Sequence, residues 1–296
     1  MITSTEISFT YEYIDTDIFE QAYEEELREE KEIRDAVIRN GLVVYMYLDN
    51  ILIGESFGIS PYEYMTVIDQ GQGFYLEEFD SIEDVDMSDN ESIYVWSTTI
   101  LPQFRGMGYG KALRQEFARY AWANGYAKLV GHATSKAMVQ IVRELGAIFH
   151  ATHENWFGTN RTAHFYTQFL TQTKEYNCGP FALAYLLETK GHIYSIKALE
   201  EQCGTTYEYG TNPTSIEKFL QRRKIPYRRM REDLVEDSII DITVENEGHW
   251  ITLIQYMSGM WQVYDPDKGI RLIAHKELLK AWHSPRYGIH KGITLV

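Results

Sequence analysis

The stretch Gln172-Thr-Lys-Glu-Tyr-Asn177-Cys178-Gly179-Pro180-Phe181-Ala-Leu183 decides how the second half of the chain is read. From Cys178 to Lys190 apolar residues fall at Phe181, Ala184, Tyr185 and Leu187, a spacing that predicts a helix. Gly191 follows as its stop. The helix therefore begins on a cysteine. A thiol placed there feels the positive end of the helix dipole, which favours the thiolate that a nucleophile needs. Gln172 lies six residues upstream, with a side-chain amide able to donate to a developing oxyanion.

The partners of such a thiol must come from further along. His249 sits in Gly248-His249-Trp250-Ile-Thr-Leu-Ile-Gln-Tyr256, which alternates like a strand. After a turn at Ser258-Gly259 comes Trp261-Gln-Val-Tyr-Asp265-Pro266, a second strand ending in an acid that a proline fixes. A hairpin of the two is expected to bring Asp265 beside His249. The acid then orients the imidazole, and the imidazole takes the thiol proton.

The order Gln172, Cys178, His249, Asp265 resembles that of the papain-like cysteine peptidases. The Asn-Cys-Gly-Pro helix and the His-Trp…Tyr-Asp-Pro hairpin are most similar to the bacteriocin-leader-processing peptidase family and its soluble relatives. The resemblance covers residues 169–296. It implies a papain-like α+β domain that cleaves or transacylates a peptide bond through Cys178.

Composition bounds the remainder. The 296 residues suggest two domains, and a hydrophobic content of 44% suffices for packed cores. No run of eighteen apolar residues occurs, so no membrane span is expected. The start, Met-Ile-Thr-Ser-Thr-Glu, lacks the basic region and apolar core of a signal peptide. Two cysteines do not make a disulfide framework, and a reducing cytoplasm fits. The net charge of −15 is uneven: residues 1–170 hold 27 Asp+Glu against 12 Lys+Arg, and residues 171–296 hold 16 against 16. Within residues 1–104 only Arg28, Lys31, Arg34 and Arg39 are basic. Such a surface repels nucleic acid and attracts cationic partners, so the expected partner is a peptide or protein substrate, cationic by complementarity.

In the first half, Ile7 to Ile14 alternates like a strand, and Thr16 is placed to cap a helix from Asp17 that covers Phe19 to Arg39. Leu42–Leu48 and Ile51–Ile59 read as a hairpin around Asp49-Asn50. Residues 66–91 read as a long, acidic loop. Then come a strand, Ile93 to Leu101, the loop Pro102-Gln-Phe-Arg105-Gly106-Met107-Gly108-Tyr109-Gly110-Lys111, and a helix through Leu113, Phe117 and Ala121. Glycines let a backbone approach a ligand closely, and a helix N-terminus turns N–H groups toward it, so a pyrophosphate is the natural guest. The spacing matches neither the lysine-bearing phosphate loop nor the dinucleotide fingerprint.

The form Pro-x-x-Arg-Gly-x-Gly-x-Gly-x-x-Leu resembles the acetyl-CoA loop of the GNAT acyltransferases, a likeness that covers roughly residues 5–168. It implies an α/β domain with a mixed sheet and flanking helices. Acetyl-CoA, or another acyl-CoA, is the implied co-substrate. The backbone of Arg105, Gly106, Met107, Gly108, Tyr109, Gly110 and Lys111 would hold its pyrophosphate, and Thr99, Ile100 and Leu101 its pantetheine arm and acyl carbonyl. In that family the helix after the fifth strand often carries an Asn, with a Tyr seven residues on that protonates the leaving thiolate. Ser135 and Val142 stand at those positions here, and Val142 has no proton to give. Tyr166 and His164 are the candidate replacements, and Glu91, Ser97 and His132 the candidate bases. His150, His153, Glu154 and His164 match no zinc spacing, so no metal is expected.

The domains expected are thus residues 1–168, an acyl-CoA-binding acyltransferase-like domain, and residues 169–296, a papain-like cysteine peptidase domain. A bifunctional enzyme is the leading expectation. A peptidase regulated by an inactive CoA-binding module and a non-enzymatic binding scaffold are the alternatives.

Overall fold

The computed structural model describes residues 6–14, 34–35, 37–69, 89–156, 160–230, 233–245, 247–282 and 292–296. The Thr16 cap, most of the helix expected over Phe19 to Arg39, and the larger part of the acidic stretch lie outside them. The chain divides into two compact units, Met1–Gln168 and Phe169–Val296.

The first unit is built on a seven-stranded mixed sheet in the order β1-β2-β3-β4-β5-β7-β6. Its strands are β1 (Ile7–Thr10), β2 (Leu42–Leu48), β3 (Ile51–Ile59), β4 (Ser92–Ile100), β5 (Lys128–Ala133), β6 (Ile148–His153) and β7 (Ala163–Phe169). The β2–β3 hairpin turns at Asp49 and Asn50, both with positive φ, as its polar turn pair predicts. A helix, α1, spans Pro61–Asp69, where part of a loop is expected from sequence. Its start has a local cause, since Ser60 Oγ accepts the Glu63 N–H at 3.1 Å, an N-cap bond. Helix α2 (Tyr109–Ala123) buries Leu113, Arg114, Phe117 and Ala121 and packs across β2, β3 and β4. Helix α3 (Lys136–Glu144) is capped by Ser135, whose side chain accepts from Met138 N–H, and buries Val142. Burying each of Leu113, Phe117 and Val142 contributes about 1.5–3 kcal/mol.

Strand β4 is irregular in two ways. It pairs in parallel with β5 only at Ser92, Ile93 and Tyr94, opposite Lys128, Leu129 and Val130. Beyond Tyr94 it keeps only β3 as a partner, so the sheet opens there into a wedge. At the same place the β3 register slips between Phe57 and Gly58, which leaves Trp96 as the extra residue of a β-bulge.

The second unit carries a six-stranded sheet in the order β12-β11-β10-β9-β13-β8, antiparallel at every pairing described. These strands are β8 (Tyr227–Arg229), β9 (Ser238–Val244), β10 (Glu247–Met257), β11 (Met260–Asp265), β12 (Gly269–Ala274) and β13 (Gly292–Leu295). Helix α4 (Cys178–Thr189) is buried from Cys178 through Glu188, as expected of a helix apolar all round. One side meets β9, β10 and β11, and another meets α5 (Ile196–Cys203). Helix α6 (Pro213–Arg222) begins on Asn212, whose side chain accepts from Thr214 N–H. Helix α7 (His275–Trp282) closes a core of Ile240, Ile242, Ile251, Leu253, Trp261, Val263 and Trp282.

Candidate functional site

Cys178 is the first residue of α4 and is 6% exposed. Asn177 stands at the N-cap but makes no cap bond. Its side chain turns instead to Glu200 Oε1, donating at 2.7 Å, and accepts from Lys174 N–H. The N–H groups of the first turn thus lack a side-chain cap. Pro180 has no N–H to offer and fits the first turn for that reason. Gly179 is required by crowding: a Cβ there would lie 2.4 Å from Thr211 Oγ1.

His249 reaches this helix end from β10. Thr252 Oγ1 donates to Ala182 O at 2.8 Å and ties β10 to α4. Trp250 Nε1 donates to Thr211 O at 3.0 Å and fixes the strand beside the Gly179 contact. His249 Nε2 lies 2.7 Å from Asp265 Oδ1, and Cys178 lies near enough to the same imidazole to raise it. Nδ1 is therefore the nitrogen left for the sulfur. Burial lowers the imidazole, but the hydrogen bonds from Asp265 and Cys178 and the charges of both outweigh it, so His249 is pushed up to about 9. Asp265 is 1% exposed. Burial raises its carboxyl, while His249, the Asp267 N–H and Arg271 hold it below its ordinary value. Arg271 Nη2 meets its second oxygen at 2.6 Å. Both shifts favour the charged pair, imidazolium with carboxylate.

The register of the hairpin explains how Asp265 comes to face His249. Near the turn, Met257, Tyr256 and Gln255 oppose Met260, Trp261 and Gln262. Continued unbroken, that ladder would set Asp265 opposite Thr252, whose side chain points away from His249's face. Instead the ladder slips at Ile254, and Leu253 and Thr252 oppose Val263 and Tyr264. Asp265 then stands across from Ile251, on the His249 face and one diagonal step away. Tyr264 anchors the strand end by donating to Leu170 O at 2.8 Å and stacking on Tyr185 of α4.

Gln172 is held at the same corner, its N–H donating to Pro266 O at 2.5 Å. Its side-chain Nε2 donates to Glu175 O at 3.4 Å. Cys178 opens onto a cleft of about 450 Å³, also lined by Tyr176, Thr211, Asp241 and the two residues that flank His249, Gly248 and Trp250. Cys203, 1% exposed, sits in the core at the end of α5, and burial pushes its thiol up to about 12.

In the first unit the glycine loop passes from a 3₁₀ turn, Pro102–Phe104, into α2. Gly106 and Gly108 have φ of +77° and +86°, and nothing lies within 4 Å of where their Cβ atoms would be. Gly108 is the N-cap of α2 and supplies no side-chain cap, while the Lys111 and Ala112 N–H groups donate to Gly108 O at 3.1 and 3.2 Å. Arg105 Nε donates to Ile100 O at 2.9 Å, and Leu101 N–H donates to Ile53 O at 2.9 Å. Those two strand-end groups are thus engaged within the protein. Thr99 shares a hydroxyl bond with Ser97 at 2.9 Å. Met107 is 64% exposed, and Lys111 pairs with Glu144 at 2.6 Å.

The wedge holds a pair of which the sequence marks only Tyr166. Tyr166 packs with Val142 and Ala133, and a Cβ on Gly131 would lie 2.9 Å from its hydroxyl and 3.1 Å from Val95 O. Arg114 Nη2 donates to that hydroxyl at 2.9 Å. Arg114 is fully buried, and its Nε and Nη1 have no hydrogen-bond partner among the described residues. Burial lowers its guanidinium, with Tyr166 opposing, and burial raises the Tyr166 hydroxyl, with Arg114 opposing. The available signal for Arg114 is its place on the sheet-facing stripe of α2, where an arginine is out of pattern. His132 Nδ1 lies 2.9 Å from Tyr94 OH across the same strand pair. His164 is taken up by Thr152 at 3.1 Å, and His150 by Thr167 at 3.0 Å. Among the described residues no group of three or more His, Cys, Asp or Glu is arranged to hold a metal, and no helix is long and apolar enough to cross a membrane.

Among curated proteins none matches the sequence. Of solved structures, the chain is similar to an IAA acetyltransferase from Bacillus cereus at 12% identity, over 56% of this chain and 100% of that one, with a TM-score of 0.41. It is similar to a GNAT family acetyltransferase from Elizabethkingia anophelis with acetyl-CoA bound at 16% identity, over 55% and 98%, with a TM-score of 0.40. It is also similar to the peptidase domain of Streptococcus ComA, a bi-functional ABC transporter involved in a quorum sensing pathway, at 20% identity, over 43% and 95%, with a TM-score of 0.37. The resemblance carried by the Asn-Cys-Gly-Pro helix and its hairpin is met by a family match, for residues 166–286 fit the model of the peptidase C39 family.

Proposed function

We propose that the second unit is a cysteine peptidase or transacylase acting on a peptide or protein. The observation that carries this is one arrangement: a helix-first cysteine beside an imidazole whose Nε2 is held at 2.7 Å by a buried carboxylate. In this reading the Cys178 sulfur attacks the peptide carbonyl while His249 carries the proton. The N–H of Cys178 and the amide of Gln172 receive the oxyanion. His249 then gives its proton to the leaving amine, and water or a second amine releases the acyl group. Asp265 keeps the imidazole oriented throughout and stabilises its charged form each time the ring holds the proton. Iodoacetamide labelling across pH is the test. Cys178 should alkylate faster than free cysteine at neutral pH, and His249→Ala should remove the difference; equal rates would end the reading.

For the first unit we infer an acyl-CoA-dependent N-acyltransferase, with the pyrophosphate on the Arg105–Lys111 backbone. From Val95 at the wedge to Ile100 at the loop, β4 extends about 16 Å, about the reach of a pantetheine arm. In this reading the thioester lies at the wedge, beside the Trp96 bulge. Tyr166, held by Arg114, then protonates the departing thiolate in place of the absent tyrosine at Val142. A common peptide substrate, cut by one unit and acylated on its new amine by the other, accounts for the fusion. The acidic surplus of the first unit suits a cationic one. With both cysteines free, a reducing cytoplasm suits the nucleophile. The buried, apolar Val142 favours a second reading, in which the first unit binds CoA without turnover. Acetyl-CoA calorimetry beside a thiol-release assay over many amines separates the two: binding with no turnover selects the sensor.

A further inference from the structure

Residues 171–296 are balanced in charge, with 16 acidic and 16 basic side chains. The cleft that exposes Cys178 is not. Glu175, Glu208, Asp241 and Glu247 line it, and among the described residues that line it none is Lys, Arg or His. Glu175, Glu208 and Glu247 are exposed and form no ion pair among the described residues. Elsewhere in the unit Glu200, Glu217 and Asp237 are taken up by Lys174, Arg229 and Lys190. The fourth carboxylate, Asp241, is half-buried. Asp241 stands opposite Trp250 on β9, and its Oδ1 lies 3.0 Å from where a Cβ on Gly248 would be, over the residue that precedes His249. Tyr207 and Tyr209 add rings that are 75% and 85% exposed.

Carboxylates gathered in a concave, low-dielectric setting focus a negative potential that isolated surface charges do not. Exposed tyrosine rings add a second attraction for cations. A substrate with acidic residues at the reacting bond would be repelled there, and one with basic residues drawn in. We propose that this cleft selects peptides carrying Lys or Arg beside the bond presented to Cys178. The proposal rests on the reading of Cys178 as the nucleophile, and it concerns the cleft rather than the acidic surface of the other unit.

The test reads occupancy at the sulfur itself. The full chain is alkylated with iodoacetamide in the presence of three peptides identical except at two central positions, which are Lys/Arg, Gln or Glu, and labelling of Cys178 is mapped by mass spectrometry. Peptide bound on the other unit leaves this signal unchanged. The Lys/Arg peptide should half-protect Cys178 at a concentration at least about tenfold lower than the Glu peptide, with the gap closing in about 0.5 M salt. The variant E208Q/D241N/E247Q should lose the preference, and the single variants E208Q and E247Q, at exposed positions, should each narrow it. Equal protection by all three peptides, protection by none, or a preference that survives these substitutions overturns the proposal. The alkylation rate without peptide, and its dependence on His249, test the nucleophile separately, so the two claims can fail independently.

Discussion

Replacing Asp265 with asparagine should uncouple the imidazole from its charge without emptying the corner it fills. In the native protein His249 is pushed up to about 9 against its ordinary 6.5, and the hydrogen bond to Asp265 is the largest upward influence. Burial alone would take it below 6.5. The amide oxygen of the Asp265→Asn variant can still accept a hydrogen bond, but it brings no charge. Loss of a buried opposite charge is worth about 2 pKa units, or on the order of 3 kcal/mol in the preference for the charged ring. The sign of the stability effect follows from the directions of the shifts. A raised imidazole stabilises the fold fully below 6.5, and that contribution fades as the pH climbs toward 9. The lowered Asp265 carboxyl contributes above its ordinary 3.8 and fades as the pH falls. The native protein should therefore exceed the variant most between about pH 5 and 6.5, with the difference shrinking by about 3 kcal/mol by pH 10. Histidine NMR titration, with the His249 signal assigned by substitution, reads the first effect. Urea unfolding at several pH values reads the second. A His249 signal that still titrates near 9 in the variant, or a stability loss that does not vary with pH, would refute the reasoning.

Other expectations follow from single features. Ile254 is the residue that the β10–β11 bulge leaves unpaired, so deleting it should regularise the ladder while keeping Asp265 opposite Ile251. Cys178 reactivity should then survive in a folded variant, and its loss would show that the bulge does more than set register. Gly179→Ala drives a Cβ to within 2.5 Å of Thr211 atoms and should cost about 1–3 kcal/mol. A thermal midpoint unchanged from the native protein would contradict that contact. Arg114→Leu removes a buried charge whose partner is neutral, so thermal stability should hold or rise. Amine-dependent thiol release should fall at least about tenfold, an acid–base-sized effect. Marked destabilisation with unchanged turnover would make Arg114 purely structural.

The local signals in this chain are strong where chemistry and secondary structure share residues. Cys178 heads a helix because its neighbours are apolar at helical spacing, and Gly191 ends it with φ of +77°. The Asp49-Asn50 turn, the Ser195 and Ser135 caps, and the Asn212-Pro213 start are likewise written in adjacent residues. So is the glycine loop, since positive φ at Gly106 and Gly108 is a local demand. The residue types of the Cys178–His249–Asp265 set could be proposed from their order and settings alone.

What adjacency does not encode is which distant groups meet. A strand's alternation cannot reveal that its ladder slips by one residue at Ile254, yet that slip chooses the face on which Asp265 appears. The crowding of Gly179 by Thr211, the clamp of Arg271 on Asp265 and the capture of Tyr166 by Arg114 each join residues from different elements. The sequence by itself determined that a thiol would sit at a helix start, with an imidazole and an acid on a hairpin to come. Only the tertiary structure decided that the carboxylate turns toward the ring and that acidic side chains from separate elements line one cleft, because register and packing are settled by whole surfaces rather than by neighbours in the chain.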